Sequence, residues 1–237
     1  VAHMTGLTTT IARKSGYHIN LMGLCSAAVI LFWAIIALIA PMITPYPVGE
    51  IVDWDYFGPS SSAFWLGSDY LGRDVFSRIL MGARFTVGIS LVAVTLACFI
   101  GVTLGMIAAV IGGVFDQVLS RFLDAFNSIP SKLFGLVVVA AVGSSIPVLI
   151  LTLTAIYAPG SYRFARALAV NINTMDFVTV ARARGEGAIY LIWEEILPNI
   201  LGPVLADFGL RFVFIVLLLS GLSFLGLGVL PPNADWG

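Results

Sequence analysis

Charge is what this sequence has least of. Only 11% of its 237 residues are Asp, Glu, Lys or Arg, against about 25% in soluble domains. The signs nearly cancel, to a net charge of −1. With no basic excess and no cationic stripe, the chain lacks the footprint of a nucleic-acid binder. Cysteine is also scarce. Cys25 and Cys98 both lie inside apolar runs, where they read as small hydrophobes rather than as a disulfide framework or metal site. There is no glycine-rich stretch ending in Gly-Lys-Ser/Thr, no His-Glu-x-x-His and no Cys-x-x-Cys, so no catalytic constellation and no metal site are expected.

What is present in excess is apolar surface. Hydrophobic residues make up 59% of the chain and the mean hydropathy is +1.01, more than a water-soluble core can hide. Runs of about 20 apolar residues predict an all-α polytopic membrane bundle. Its spans are expected near 21–40, 84–111, 118–142, 146–168 and 200–226. Met4 reads as the native start, and residues 1–20 as a short N-terminal segment ahead of an uncleaved first span. Pro41, Pro45 and Pro47 are expected to stop that span and open a polar connection over 41–83.

Orientation follows from the cations, which concentrate on cytoplasmic flanks. With the N-terminus inside, Arg13, Lys14, Arg121, Lys132, Arg163, Arg166, Arg182 and Arg184 fall on the cytoplasmic side, and only Arg73, Arg78 and Arg84 fall outside. This predicts a cytoplasmic N-terminus, an external loop over 41–83 and cytoplasmic segments over 112–131 and 169–199. Five spans place Gly237 outside, so a sixth span is expected beyond it. In the segment 169–199, Gly185 and Gly187 interrupt one stretch and Pro198 ends the next, which predicts two short cytoplasmic helices joined at the glycines.

Three blocks carry a resemblance. The stretch from Phe177 through Val178, Thr179, Val180, Ala181, Arg182, Ala183 and Arg184 to Gly185, followed by Ile196-Leu197-Pro198-Asn199, resembles the EAA loop of binding-protein-dependent ABC permeases. Thr179 and Val180 stand where that family usually has Glu and Ala. Leu66 to Arg78 with Gly82-Ala83-Arg84, and Gly221 to Gly228 with Pro231-Pro232 and Trp236-Gly237, are similar to the second permease subunit of the dipeptide, oligopeptide and nickel branch.

The resemblance implies a type I importer permease, paired in the membrane with a homologous permease and served by two cytoplasmic ATP-binding subunits and an external solute-binding protein. Its solute would be a di- or oligopeptide or a similar small molecule. This chain would bind no cofactor, since ATP and Mg would sit on the partner subunits. The EAA loop would form a coupling helix seated on an ATPase subunit, using Val180, Ala181, Arg182, Ala183, Arg184, Gly185, Glu186 and Gly187. Ala181 and Gly185 are expected toward that partner, because small side chains allow close approach.

Outside the resemblance, Asp207 and Arg211 stand at i, i+4 in the last span, about 6 Å apart along the axis and roughly 13 and 20 Å into a core about 30 Å thick. Charges at that depth face a bundle interior or a wet cavity. The pair either fixes its helix against neighbours or lines a translocation pathway, where the zwitterionic ends of a peptide would suit it. Gly101 and Gly105 form a small-xxx-small packing signal, and Arg163 and Arg166 read as anchors of a helix end. In the block at 67–84, Ser68 or Asp69 is expected to cap a short helix, with Arg73 and Asp74 paired. Two other transport classes fit less well. An ion-coupled secondary transporter needs intramembrane carboxylates or broken helices around an ion, and a channel needs a filter or pore-lining rings.

Overall fold

The computed structural model describes residues 21–52 and 57–237. The cytoplasmic N-terminal segment expected over 1–20 lies outside them. The described residues form helices and connections, with no strand among them beyond an isolated bridge between Ser68 and Asp74. The helices are α1 (Leu21–Ile43), α2 (Val75–Ile111), α3 (Gly113–Asn127), α4 (Ser131–Val142), α5 (Ile146–Asn173), α6 (Asp176–Ala183) and α7 (Ala188–Phe224). By length and composition α1, α2 and α7 can each cross a membrane, and α3 with α4 makes a fourth candidate as one broken span.

The core shows how they run. At one level Ile89 and Val94 of α2, Val139 of α4, Leu149 and Leu153 of α5, and Leu219 and Leu222 of α7 pack together. At another, Val102 and Met106 of α2 meet Ala165 and Ala169 of α5 and Ile200 of α7. Both α2 and α5 therefore run in the same direction while α7 runs against them, and α3–α4 returns the chain between α2 and α5. Lipid tails are as apolar as leucine, so dispersion and close approach hold such helices rather than water exclusion. Gly101 and Gly105 supply the close approach. A Cβ on Gly101 would stand 2.6 Å from the Ala158 carbonyl oxygen, and one on Gly105 would stand 2.8 Å from the Arg166 amide nitrogen.

Several element boundaries differ from the sequence expectations. The single span expected over 118–142 is two helices meeting at 81° across Ser128, Ile129 and Pro130. Pro130 has no amide to continue the ladder and sits as the N-cap of α4. The first helix runs through Pro41 to Ile43, so Pro41 takes one amide out of the hydrogen-bond ladder of the last turn without ending the helix. The second helix begins at Val75, nine positions before the apolar run, because Asp74 accepts from the Ser77 amide at 2.8 Å and caps it.

Pro198 does not end a helix either. It lies at the start of the regular α-helical part of α7, just after a π turn over Leu191–Ile196. Such a widened turn is one way a helix absorbs a residue that breaks its ladder. The Asn199 amide group donates to the Glu195 carbonyl at 2.6 Å. Of the two short helices expected over 169–199, only α6 is short, and the other is the beginning of α7.

Candidate functional site

The candidate coupling turn hangs from the ends of α2 and α5. The Asn173 side chain donates to the Ala109 carbonyl at 2.9 Å and accepts from Arg182 at 2.6 Å, which ties α6 to both helices. The eight residues of α6 are amphipathic. Val178 and Ala181 are buried with Leu191 against Val110, Ile172 and Tyr190. Ala181, expected toward a partner, is 0% exposed and faces this chain's own bundle. Its small side chain lets α6 lie close to α7.

The outward face carries other residues. Phe177, Val180 and Arg184, at i, i+3 and i+7, are exposed, with Val180 at 55%. Across the turn Ile189 and Trp193, at i and i+4, are 76% and 59% exposed. Arg182, Ala183, Gly185 and Gly187 are also exposed, and Glu186 is half-buried. The turn is a Schellman cap: the Glu186 amide donates to the Ala181 carbonyl at 3.2 Å and the Gly185 amide to the Arg182 carbonyl at 2.9 Å. Gly185 holds φ at +86° and a Cβ there would meet nothing within 4 Å. Glycine is thus required by the backbone conformation, not by crowding.

The second candidate site lies within the bundle. Arg211 Nε donates to Asp207 Oδ2 at 2.5 Å, with the two side chains 14% and 12% exposed. Arg211 Nη1 also reaches the Tyr157 carbonyl of α5 at 3.4 Å. Both charges therefore face protein, as their depth requires. The guanidinium lies over Gly160, where a Cβ would come within 2.6 Å of Nη1. Beside them opens a cavity of about 370 Å³, lined by Gly160 and Arg211 and bounded by the break between α3 and α4. The break in the span expected over 118–142 is what makes this space.

A polar cluster locks α3 to α5. Arg166 makes a two-pronged ion pair with Asp116, and Ser120 bonds the Tyr162 hydroxyl at 2.7 Å. Arg163 lies 3.7 Å from Asp124 on an exposed surface. Asp116 was the signal available in the sequence, a lone carboxylate at the start of α3.

At the opposite end of the bundle the two remaining motif blocks meet. The Trp236 indole donates to the Ile79 carbonyl and its backbone amide donates to Thr86 Oγ1, both at 3.1 Å. Its ring packs edge-on to Trp33 at 4.8 Å, and a Cβ on Gly82 would touch it at 3.0 Å. Asp69 accepts from the Leu71 and Arg73 amides and pairs with Arg73 Nε at 2.8 Å. Arg73 is thus paired with Asp69 and not with Asp74, which is engaged as the cap of α2.

The family of binding-protein-dependent transport system inner membrane components matches residues 101–237. The dipeptide transport system permease protein of Alkalihalophilus pseudofirmus is 32% identical over 218 residues, covering 92% of this chain and 72% of its own length. Its counterpart in Haemophilus influenzae is 33% identical over 214 residues, 88% of this chain and 72% of that one. The glutathione transport system permease protein of Pectobacterium atrosepticum is 33% identical over 204 residues, 85% and 67% of the two chains. Together with the apolar helical bundle, these matches show that the chain belongs to the binding-protein-dependent transport system inner membrane components, as a multi-pass permease subunit.

Proposed function

We propose that this chain is one half of a membrane importer that carries di- or oligopeptides, or similar small solutes, into the cell by alternating access. Its partners would be a homologous permease, two cytoplasmic subunits that bind and hydrolyse ATP with Mg, and an external solute-binding protein. Closure of the ATP-binding subunits would push on the α6 turn, whose anchorage to the ends of α2 and α5 carries the movement into the bundle. The observation that carries this reading is the exposed apolar and cationic outer face of the turn on an otherwise well-tied helix. Its contact residues would be Phe177, Val180, Arg184, Ile189 and Trp193, with Ala181 acting only from beneath.

In this reading α1, α2, the broken pair α3–α4, α5 and α7 are five spans with the N-terminus in the cytoplasm. The shared direction of α2 and α5, with a return between them, supports an odd number of passes from α2 to α5. The cations at the α6 end support its cytoplasmic placement. Asp207 and Arg211 would line the pathway.

The test is ATP-dependent accumulation of dialanine in proteoliposomes holding the complete transporter, with binding protein supplied outside the ATP sites' compartment. Uptake that needs ATP and Mg is expected. Uptake driven by an ion gradient without ATP would favour a secondary transporter and overturn the reading.

A further inference from the structure

The cavity beside Arg211 has the features of an anion subsite rather than of a packing defect. Its wall takes polar groups from three elements: Asn127, Ser128 and Ser131 at the break, Tyr157 and Gly160 on α5, and Arg211 on α7. An empty defect in a bundle is apolar, whereas a space lined this way holds water or a polar ligand. A guanidinium has five N–H donors in a rigid fork. Among the described residues only Nε and Nη1 of Arg211 have protein acceptors, Asp207 and the Tyr157 carbonyl. Donors on the Nη edge therefore remain for a ligand, and Gly160 leaves the guanidinium room to lie beside the cavity, since a Cβ there would stand 2.6 Å from Nη1.

The charge balance selects the ligand. Asp207 neutralises Arg211 from the Nε side but does not line the cavity, so the occupant meets the cationic edge alone. The first helical turn of α4 opens onto the same space with no side-chain cap on its amides, which adds positive potential of the same sign. At about 370 Å³ the space is large enough for one or two amino-acid residues, but it offers no second cation for a phosphate or a polyanion.

We propose that this cavity is a subsite for the carboxylate of the carried solute, with the Nη edge of Arg211 as its donor and Gly160 as the residue that leaves the guanidinium room beside it. The inference rests on the peptide-importer reading above. Asp207 is a positioning residue: by holding Nε it aims the free edge of the fork at the break between α3 and α4. A bidentate guanidinium–carboxylate contact is directional, so lysine at 211 would be a poor substitute.

A reporter cysteine on the apolar wall tests this without relying on the binding protein. In a Cys25→Ser background, Ile129→Cys in the complete transporter is labelled with a maleimide in the presence of dialanine or its C-terminal amide, while dialanine uptake is measured in parallel. Dialanine is expected to slow labelling about tenfold and the amide to leave it unchanged. Protection should disappear in Gly160→Ala, and in the Arg211→Gln, Asp207→Asn pair, which leaves no unpaired buried charge. Equal protection by acid and amide, or protection that survives both variants, overturns the subsite. Dialanine uptake without any protection overturns it too and leaves the importer reading standing. No dialanine uptake by the parent transporter overturns the subsite as drawn and the dipeptide part of the importer reading.

Discussion

Where α1 hands over to α2, the chain ties itself down; at the opposite end, where α6 turns back, it leaves its surface open. The first end is closed by the segment ending in Trp236, which is hydrogen-bonded to Ile79 and Thr86 and packed edge-on against Trp33. Asp69 gathers two backbone amides and Arg73 there. The second end hangs on Asn173 and on the small cluster of Val178, Ala181 and Leu191, and turns Val180, Ile189 and Trp193 outward. Large side chains are exposed at the first end too, Trp65 at 65% and Tyr70 at 58%, but there the chain's own bonds fix the backbone. Exposed on a firmly anchored helix, such side chains suit a partner.

The largest effect should come from the spine that both ends share. Gly105→Leu puts a side chain where a Cβ already stands 2.8 Å from the Arg166 amide nitrogen and the Tyr162 carbonyl oxygen, and backbone cannot step aside as a side chain can. Overpacking costs about 1–3 kcal/mol, and this case belongs at the top of that range. Both ends should fail together, seen as loss of a monodisperse peak in detergent. A well-folded Gly105→Leu would mean that α2 and α5 do not pack as described.

Next come Trp236 and Trp193, one at each end, which should separate the ends. Trp236→Ala removes the indole hydrogen bond to Ile79 and the ring contact with Trp33, while the backbone bond to Thr86 remains, and should lower stability by about 1–3 kcal/mol, read as a lower melting temperature. Trp193→Ala should leave melting unchanged and reduce solute-stimulated ATP hydrolysis about tenfold, because Trp193 touches little within its own chain. If Trp193→Ala melts early and couples normally, the open end is ordinary structure and the comparison collapses.

Much of this was legible in the sequence, and what was not shares one cause. Apolar runs located the helices, and Gly101 with Gly105 predicted a close helix contact that the structure shows between α2 and α5. The pairing of Asp207 with Arg211 followed from their spacing and the cost of burying either charge alone. The misread features depend on what lies across the bundle. Pro130 lies inside the run expected as one span over 118–142, and the 81° break there shows only in how α4 sits against its neighbours. Ala181 looked like a contact residue because its size fits one, and only the position of Leu191 shows that it faces inward. Pro198 looked like a stop because local sequence does not announce a π turn. The start of α2 was hidden because Ser77 and Arg78 are polar, although Asp74 caps them into the helix.

A smaller effect should separate two reasons for a glycine in the open turn. If Gly185 is needed for its positive φ, Gly185→Asn should be tolerated and Gly185→Val should cost about 1–2 kcal/mol in local strain. If it is needed for contact with a partner, both variants should impair ATPase co-purification alike. The open space around Gly185 favours the first outcome.

The smallest effect concerns acid at the tied end. Burial alone would raise the Asp69 pKa, but hydrogen bonds from the Arg73 side chain and from the Arg73 and Leu71 amides outweigh it and hold the carboxyl below its ordinary 3.8. A carboxyl whose pKa is lowered by folding contributes stability that is complete above its unfolded value and is lost as pH falls through the folded one. Asp69 should therefore support the loop fully above about pH 5 and release it only below about pH 4. Solvent and salt screening keep the contribution to about 1 kcal/mol or less. Asp69→Asn should melt slightly earlier than the parent at pH 6, and the gap should close as both are taken toward pH 3. A gap for Asp69→Asn that is constant across the whole range would show that its amide contacts, and not its charge, hold the loop.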